Sequence, residues 1–162
     1  MTEQTLAEHY EGTDELRAGL QTLFGEAQLG IKAILHELDP RLWNREDLCE
    51  ALRAALLRHD RFEARLCVLD PTGTRRANPR LTELADRMPS RLSMRAADRQ
   101  DAELAEHFVL VDDHHYLRRP TPVLDRWLSH IVPPNEAPRL AAVFDGVWER
   151  ADLHPDLRPM HL

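Results

Sequence analysis

Ala64-Arg65-Leu66-Cys67-Val68-Leu69, closed by Asp70-Pro71-Thr72-Gly73, is almost continuously apolar and runs into a turn signal, the mark of a strand covered on both faces. Such a strand is expected at the centre of a sheet. Upstream, Ile31-Lys32-Ala33-Ile34-Leu35-His36 is short, partly alternating and rich in β-formers, and Asp39-Pro40 stops it, so it reads as the first strand. Between the two, Asn44 is positioned to cap a helix with Asp47 as its capping-box partner. Leu48, Leu52, Ala55 and Leu56 follow along one side to about residue 58. Strand, helix and strand at this spacing make a right-handed crossover between parallel neighbours.

The flanking sequence continues the alternation. Residues 1–12 are polar and read as a flexible N-terminus. Thr13 can cap a helix in which Asp14 and Glu15 suit the positive end of the dipole. Leu16, Leu20, Leu23, Phe24 and Ala27 form its apolar stripe, and Gly30 ends it. Downstream, Asn78-Pro79 opens a helix carrying Leu81, Leu84, Ala85 and Met88 until Pro89, and residues 91–95 alternate with Leu92 and Met94 inward. Phe108-Val109-Leu110-Val111 reads as a buried strand, Asp112-Asp113-His114-His115 as its turn and Tyr116-Leu117-Arg118 as its hairpin partner. Residues 119–134 contain four prolines and read as irregular. Asn135 opens a last helix with Leu140, Val143, Phe144, Val147, Trp148 and Ala151 on one face. The order α, β, α, β, α, β, β, β, α predicts an α/β fold, a layered mixed β-sheet flanked by helices, in a single domain over residues 13–162.

At 162 residues with 43% hydrophobic and 30% charged side chains, the chain can bury one core and is too apolar for disorder. A net charge of -7 gives no overall field that would attract nucleic acid or an anionic membrane. The charge is uneven: residues 1–28 carry a net -5, whereas residues 61–100 hold nine arginines against five acids. Solvated faces are the expected use of those arginines. Cys49 and Cys67 have no partner at metal or redox spacing and are expected to be reduced and buried. No apolar run approaches the ~20 residues that span a bilayer, and the acidic start lacks the design of a secretory signal. A cytoplasmic protein without membrane contact is expected.

Several chemistries lack their residues. Neither G-x-G-x-x-G nor G-x-x-x-x-G-K-[ST] occurs, so phosphate cradles of those types are excluded. Ser90, Ser93 and Ser129 stand in no G-x-S-x-G elbow. Neither cysteine sits where a thiol is activated. Asp112, Asp113, His114 and His115 are adjacent in a turn and do not predict a metal site, because a metal needs three or four converging ligands. No cofactor is expected.

Asp39-Pro40-Arg41-Leu42-Trp43-Asn44-Arg45, Leu69-Asp70-Pro71, Arg87-Met88-Pro89-Ser90-Arg91, Leu110-Val111-Asp112, Tyr116-Leu117-Arg118-Arg119-Pro120 and Trp148-Glu149-Arg150-Ala151 through Pro155-Asp156-Leu157-Arg158 carry a resemblance. The chain resembles, over residues 14–162, an uncharacterised proteobacterial domain often fused behind a GNAT-type acetyltransferase. A free-standing version is implied here, with an acetyltransferase-type protein as a candidate partner. That family is in turn similar to one half of the phospholipase D-like fold. Its active members carry H-x-K-x-x-x-x-D, in which histidine attacks phosphorus, lysine binds the phosphoryl oxygens and aspartate supports the site. With Asp112 on the motif aspartate, Ala105 stands where the nucleophile belongs and His107 where lysine belongs. Moving His107 into the nucleophile's place puts Val109 and His114 on the other two positions and loses both functions. A catalytically degenerate scaffold is implied.

The expected function is therefore a non-catalytic binding or regulatory module, with His107, Asp112, Tyr116, Arg118 and Arg119 as ligand-binding residues for a small anion or a partner surface; paired guanidinium forks suit phosphate. Two other functions are weighed against it. Nucleic-acid binding through Arg61, Arg65, Arg75, Arg76, Arg80, Arg87, Arg91, Arg95 and Arg99 is disfavoured by the net charge and the lack of interleaved aromatics other than Phe62. Weak phosphodiesterase activity would use His107 and Asp112 as an acid–base pair. The resemblance also implies a homodimer, with Trp127, Leu128 and Ile131 as candidate contacts.

Overall fold

The computed structural model of the chain describes residues 9–104 and 106–159. In chain order the elements are β1 (His9–Glu11), α1 (Gly12–Glu26), β2 (Gly30–Leu35), α2 (Pro40–Trp43), α3 (Glu46–Arg58), β3 (Glu63–Val68), α4 (Thr74–Ala77), α5 (Pro79–Arg87), β4 (Leu92–Ala96), α6 (Arg99–Leu104), β5 (His107–Val111), β6 (His115–Arg119), β7 (Arg126–Ile131) and α7 (Ala137–Arg150). The seven strands form one sheet in the order β1-β7-β6-β5-β2-β3-β4. β2, β3 and β4 are parallel through their helical crossovers, whereas β5 returns antiparallel to β2 and continues through β6 and β7 to β1. This is the mixed α/β architecture expected from the alternating order.

Alternation along each strand builds two cores. Ile31, Ala33, Leu35, Ala64, Leu66, Val68, Val109, Val111 and Leu117 face α1, α3 and α5. Ile34, Cys67, Phe108, Leu110 and Tyr116 face Phe144, Val147 and Trp148 of α7. β3 is covered on both faces as its apolar run requires, although it lies one strand in from the β4 edge and not at the centre. Arg95 also points to the α7 side, where its guanidinium stacks over Trp148 at 4.4 Å and Nη1 donates to the Trp148 carbonyl.

Several elements depart from expectation for identifiable reasons. Part of the stretch expected to be flexible through residue 12 is a strand: His9–Glu11 pairs with Arg126, Trp127 and Leu128, while residues 1–8 lie outside the described residues. Three residues carry no detectable period, but Tyr10 packs on Gly19, where a Cβ would come within 2.5 Å of its ring. Residues 126–131 form β7 because the prolines flank the strand instead of interrupting it. The short α4 and α6 also exceed what periodicity resolves.

The caps differ too. Asn44 does not cap α3; its Oδ1 accepts from the Arg80 N–H at 2.9 Å and so caps α5 across the fold. Asn78, in turn, is buried and donates to the Leu38 and Thr74 carbonyls. Thr13 reaches Asp125 at 3.3 Å instead of capping α1, and Gly30 opens β2. Trp127 lies in the core and is no candidate contact; Leu128 is half-buried, and Ile131 and Val143 are exposed.

Candidate functional site

Strand parity decides which polar side chains meet. Val109 in β5 and Leu117 in β6 point into the larger core, so His107 and Arg119 project from the same face, and the register sets them opposite each other. β2 runs antiparallel to β5 and finishes at the same end, which brings His36 beside His107. Leu16, Leu20, Leu35, Leu42, Trp43, Val109 and Trp127 supply an apolar lining, and Thr13, Glu37, Asp39 and Asp125 complete it. The cavity measures about 80 Å³, room for several waters or one compact ion.

The two imidazoles lie 5.9 Å apart between centroids with their planes 31° apart. Burial lowers the pKa of His107, and the neighbouring His36 and Arg119 lower it further against the opposing pull of Glu106. These surroundings favour the neutral form of His107. Arg119 donates from Nε to the Leu124 carbonyl at 3.0 Å and from Nη2 to the Pro122 carbonyl at 3.2 Å, tying residues 120–125 back to β6. Among the described residues its Nη1 has no hydrogen-bond partner. Asp39 caps α2 through the Arg41 N–H and grips the Arg41 side chain at 2.8 Å. Burial works to raise its pKa, but the hydrogen bonds and charge of Arg41 outweigh this and hold it low.

Of the five residues expected to bind ligand, His107 and Arg119 meet in this cavity. Asp112 sits at the opposite end of β5, where its carboxylate accepts the N–H groups of Gln28, Leu29 and Gly30 at 2.9, 2.7 and 3.0 Å. Asp112 and Asp113 both hold positive φ, 57° and 53°, in a tight hairpin turn closed by His114 N–H donating to the Val111 carbonyl. Tyr116 and Arg118 point to the α7 side. Tyr116 is buried against Phe108 and His130, its hydroxyl pKa pushed up by burial and by Glu106; Arg118 lies 3.6 Å from Glu106. Lys32 pairs with Asp113 at 3.2 Å.

His36, which in the sequence reads only as the end of a strand, is the further functional candidate in the cavity. Its signal was its place at the carboxyl end of a parallel strand, where ligands of open α/β sheets bind. Ala105 lies outside the described residues. Among those described, no group of three or more His, Cys, Asp or Glu is placed to hold a metal. Burial raises the thiol pKa of Cys49 to about 11 and of Cys67 to about 12, which leaves both unreactive at neutral pH. No helix among the described residues is long and apolar enough to cross a membrane.

Much of the basic stretch is engaged internally. Arg65 pairs with Glu63, Arg75 with Asp86, Arg87 with Glu83 and Arg91 with Asp60, while Arg80 holds the Asn44 carbonyl.

No curated protein matches the chain. Among solved structures, NucT from Helicobacter pylori superposes with a TM-score of 0.57 at 6% identity, covering 88% of this chain and 92% of its own. The archaeal chromatin protein TrmBL2 superposes with a TM-score of 0.60 at 14% identity, covering 94% of this chain but only 54% of its own. At these identities the likeness is one of fold, and the fold is phospholipase D-like. The chain spans about half the length of TrmBL2. Residues 12–160 match the family described as a domain of unknown function, DUF7931, and this chain belongs to that family.

Proposed function

We propose that this protein is a non-catalytic binding module that holds a small anionic ligand in the cavity formed by His36, His107 and Arg119. The observation that carries the reading is the convergence of two imidazoles and a guanidinium at the carboxyl end of β2 over an apolar floor. Arg119 is held by the loop it ties down, so one edge of its fork is directed in advance, which lowers the ordering cost of binding. The non-catalytic part rests on Ala105 at the position of the attacking histidine and on the separation of His107 from Asp112 by the length of β5. Without a nucleophile, positioned donors bind a phosphoryl group without breaking its ester.

A thermal-shift panel of nucleotides and phosphorylated metabolites tests this reading. At least one member is expected to raise the midpoint of the full chain and to lose its effect in Arg119→Gln. A flat response across the panel, or phosphodiesterase turnover that disappears in His107→Ala, would overturn it.

Nucleic-acid binding is a second reading, favoured by the likeness to TrmBL2, described as showing a novel mode of DNA binding. Against it stand the net charge of -7 and the internal pairing of the arginines. Saturable, salt-dependent binding of an oligonucleotide by fluorescence anisotropy would favour this second reading over the first.

A further inference from the structure

The charge around the cavity does not match a simple anion site. Glu37, Asp39 and Asp125 line it against Arg119, so before any imidazole is protonated the lining carries an excess of negative charge. Counting Arg41, which grips Asp39 and also lies near Asp125 and Glu37, leaves that excess in place. An anion entering this ring of carboxylates is repelled unless another positive charge appears. His36 and His107 are the groups in the cavity able to supply it near neutral pH. Two imidazolium ions 5.9 Å apart would repel each other, so a single proton serves the pair.

Resting on the reading of the cavity as an anion site, we propose that it binds its anion together with a proton, taken up by the His36–His107 pair. With the cavity empty, burial disfavours charge on His107, and the His36 ring beside it and Arg119 facing it from β6 disfavour it further. Glu106 beside His107 acts in the opposite direction, Glu37 follows His36 at the cavity edge, and Asp39, Arg41 and Asp125 at the rim are partly compensated among themselves. A bound anion between His107 and Arg119 replaces repulsion with attraction and makes protonation favourable. By linkage, acidification must then strengthen anion binding, and the anion must raise the proton affinity of the pair.

The test is calorimetric titration of the full chain with sulfate, whose charge is constant over the histidine range, at two pH values between about 5 and 8. Each titration is run in two buffers of different ionisation enthalpy. Affinity is expected to rise roughly tenfold per pH unit of acidification where one proton is taken up, with heats that change with the buffer. His107→Gln is expected to remove the proton uptake, and His36→Gln, at an exposed position, to reduce it without a folding defect. Sulfate binding with equal affinity at both pH values and no buffer-dependent heat overturns the inference and leaves the anion site standing. Proton uptake that persists unchanged in both variants also overturns it. No binding at either pH by folded protein overturns the inference and the anion site together.

Discussion

Asp112 shows how one side chain can anchor the junction between two elements distant from it in sequence. Its carboxylate satisfies three consecutive N–H groups where α1 gives way to β2, and it does so from a left-handed backbone conformation that disfavours most side chains. Asp112→Ala loses the acceptor and keeps the strained φ, so it is expected to cost about 3 kcal/mol in urea denaturation. Asp112→Gly relieves the backbone and should cost roughly 1 kcal/mol less than alanine; Asp112→Asn, which retains one acceptor oxygen and tolerates the conformation, should cost least. Equal, small losses in all three would remove the anchoring role. The imidazoles give a second prediction. Burial lowers the pKa of His107, aided by His36 and Arg119, and that of His115, aided by His114, from the ordinary 6.5. Below about 6.5 the unfolded chain therefore binds more protons than the folded one. Stability is full above that pH and falls as pH drops from it toward the lowered folded values. Combining His107→Gln with His115→Gln should flatten that part of a stability–pH curve, and an unchanged slope would contradict the assignment.

At the level of elements, two asparagines exchange the roles their neighbours in sequence suggest. Asn78 precedes Pro79 as a helix cap should, yet its amide is buried between two carbonyls, while Asn44 caps the same helix from a distance. Asn78→Ala strands the Leu38 carbonyl in a buried setting, while the Thr74 carbonyl keeps the backbone N–H of residue 78, and is expected to cost about 2 kcal/mol; Asn44→Ala, at a more exposed cap, about 1 kcal/mol. Chemical denaturation that reverses this order would contradict the account. The same residues show what was legible. The apolar runs at 64–69 and 108–111 and the helix stripe from Leu16 to Phe24 are local signals, and they specified their elements and buried faces correctly. A cap is legible as a residue type, but its recipient depends on which elements pack together. β1 and β7 stabilise each other by pairing, and neither segment alone carries the period of a strand.

Across the whole molecule, the cavity is a product of topology. His36, His107 and Arg119 are far apart in the chain and meet because β5 reverses direction beside β2 and β6 reverses again. The resemblance singles out His107 and Asp112, and nearness in sequence adds Tyr116, Arg118 and Arg119. In a hairpin, however, adjacent residues face opposite sides and residues five apart stand at opposite ends. The phospholipase D-like frame thus carries a polar end at its sheet. The most direct test follows the imidazole resonances of isotope-labelled protein by NMR during titration with inorganic phosphate. The account predicts saturable shifts of His36 and His107, with His59 and His154 unmoved. Phosphate that leaves His36 and His107 unchanged, or that shifts all histidines alike, would contradict it.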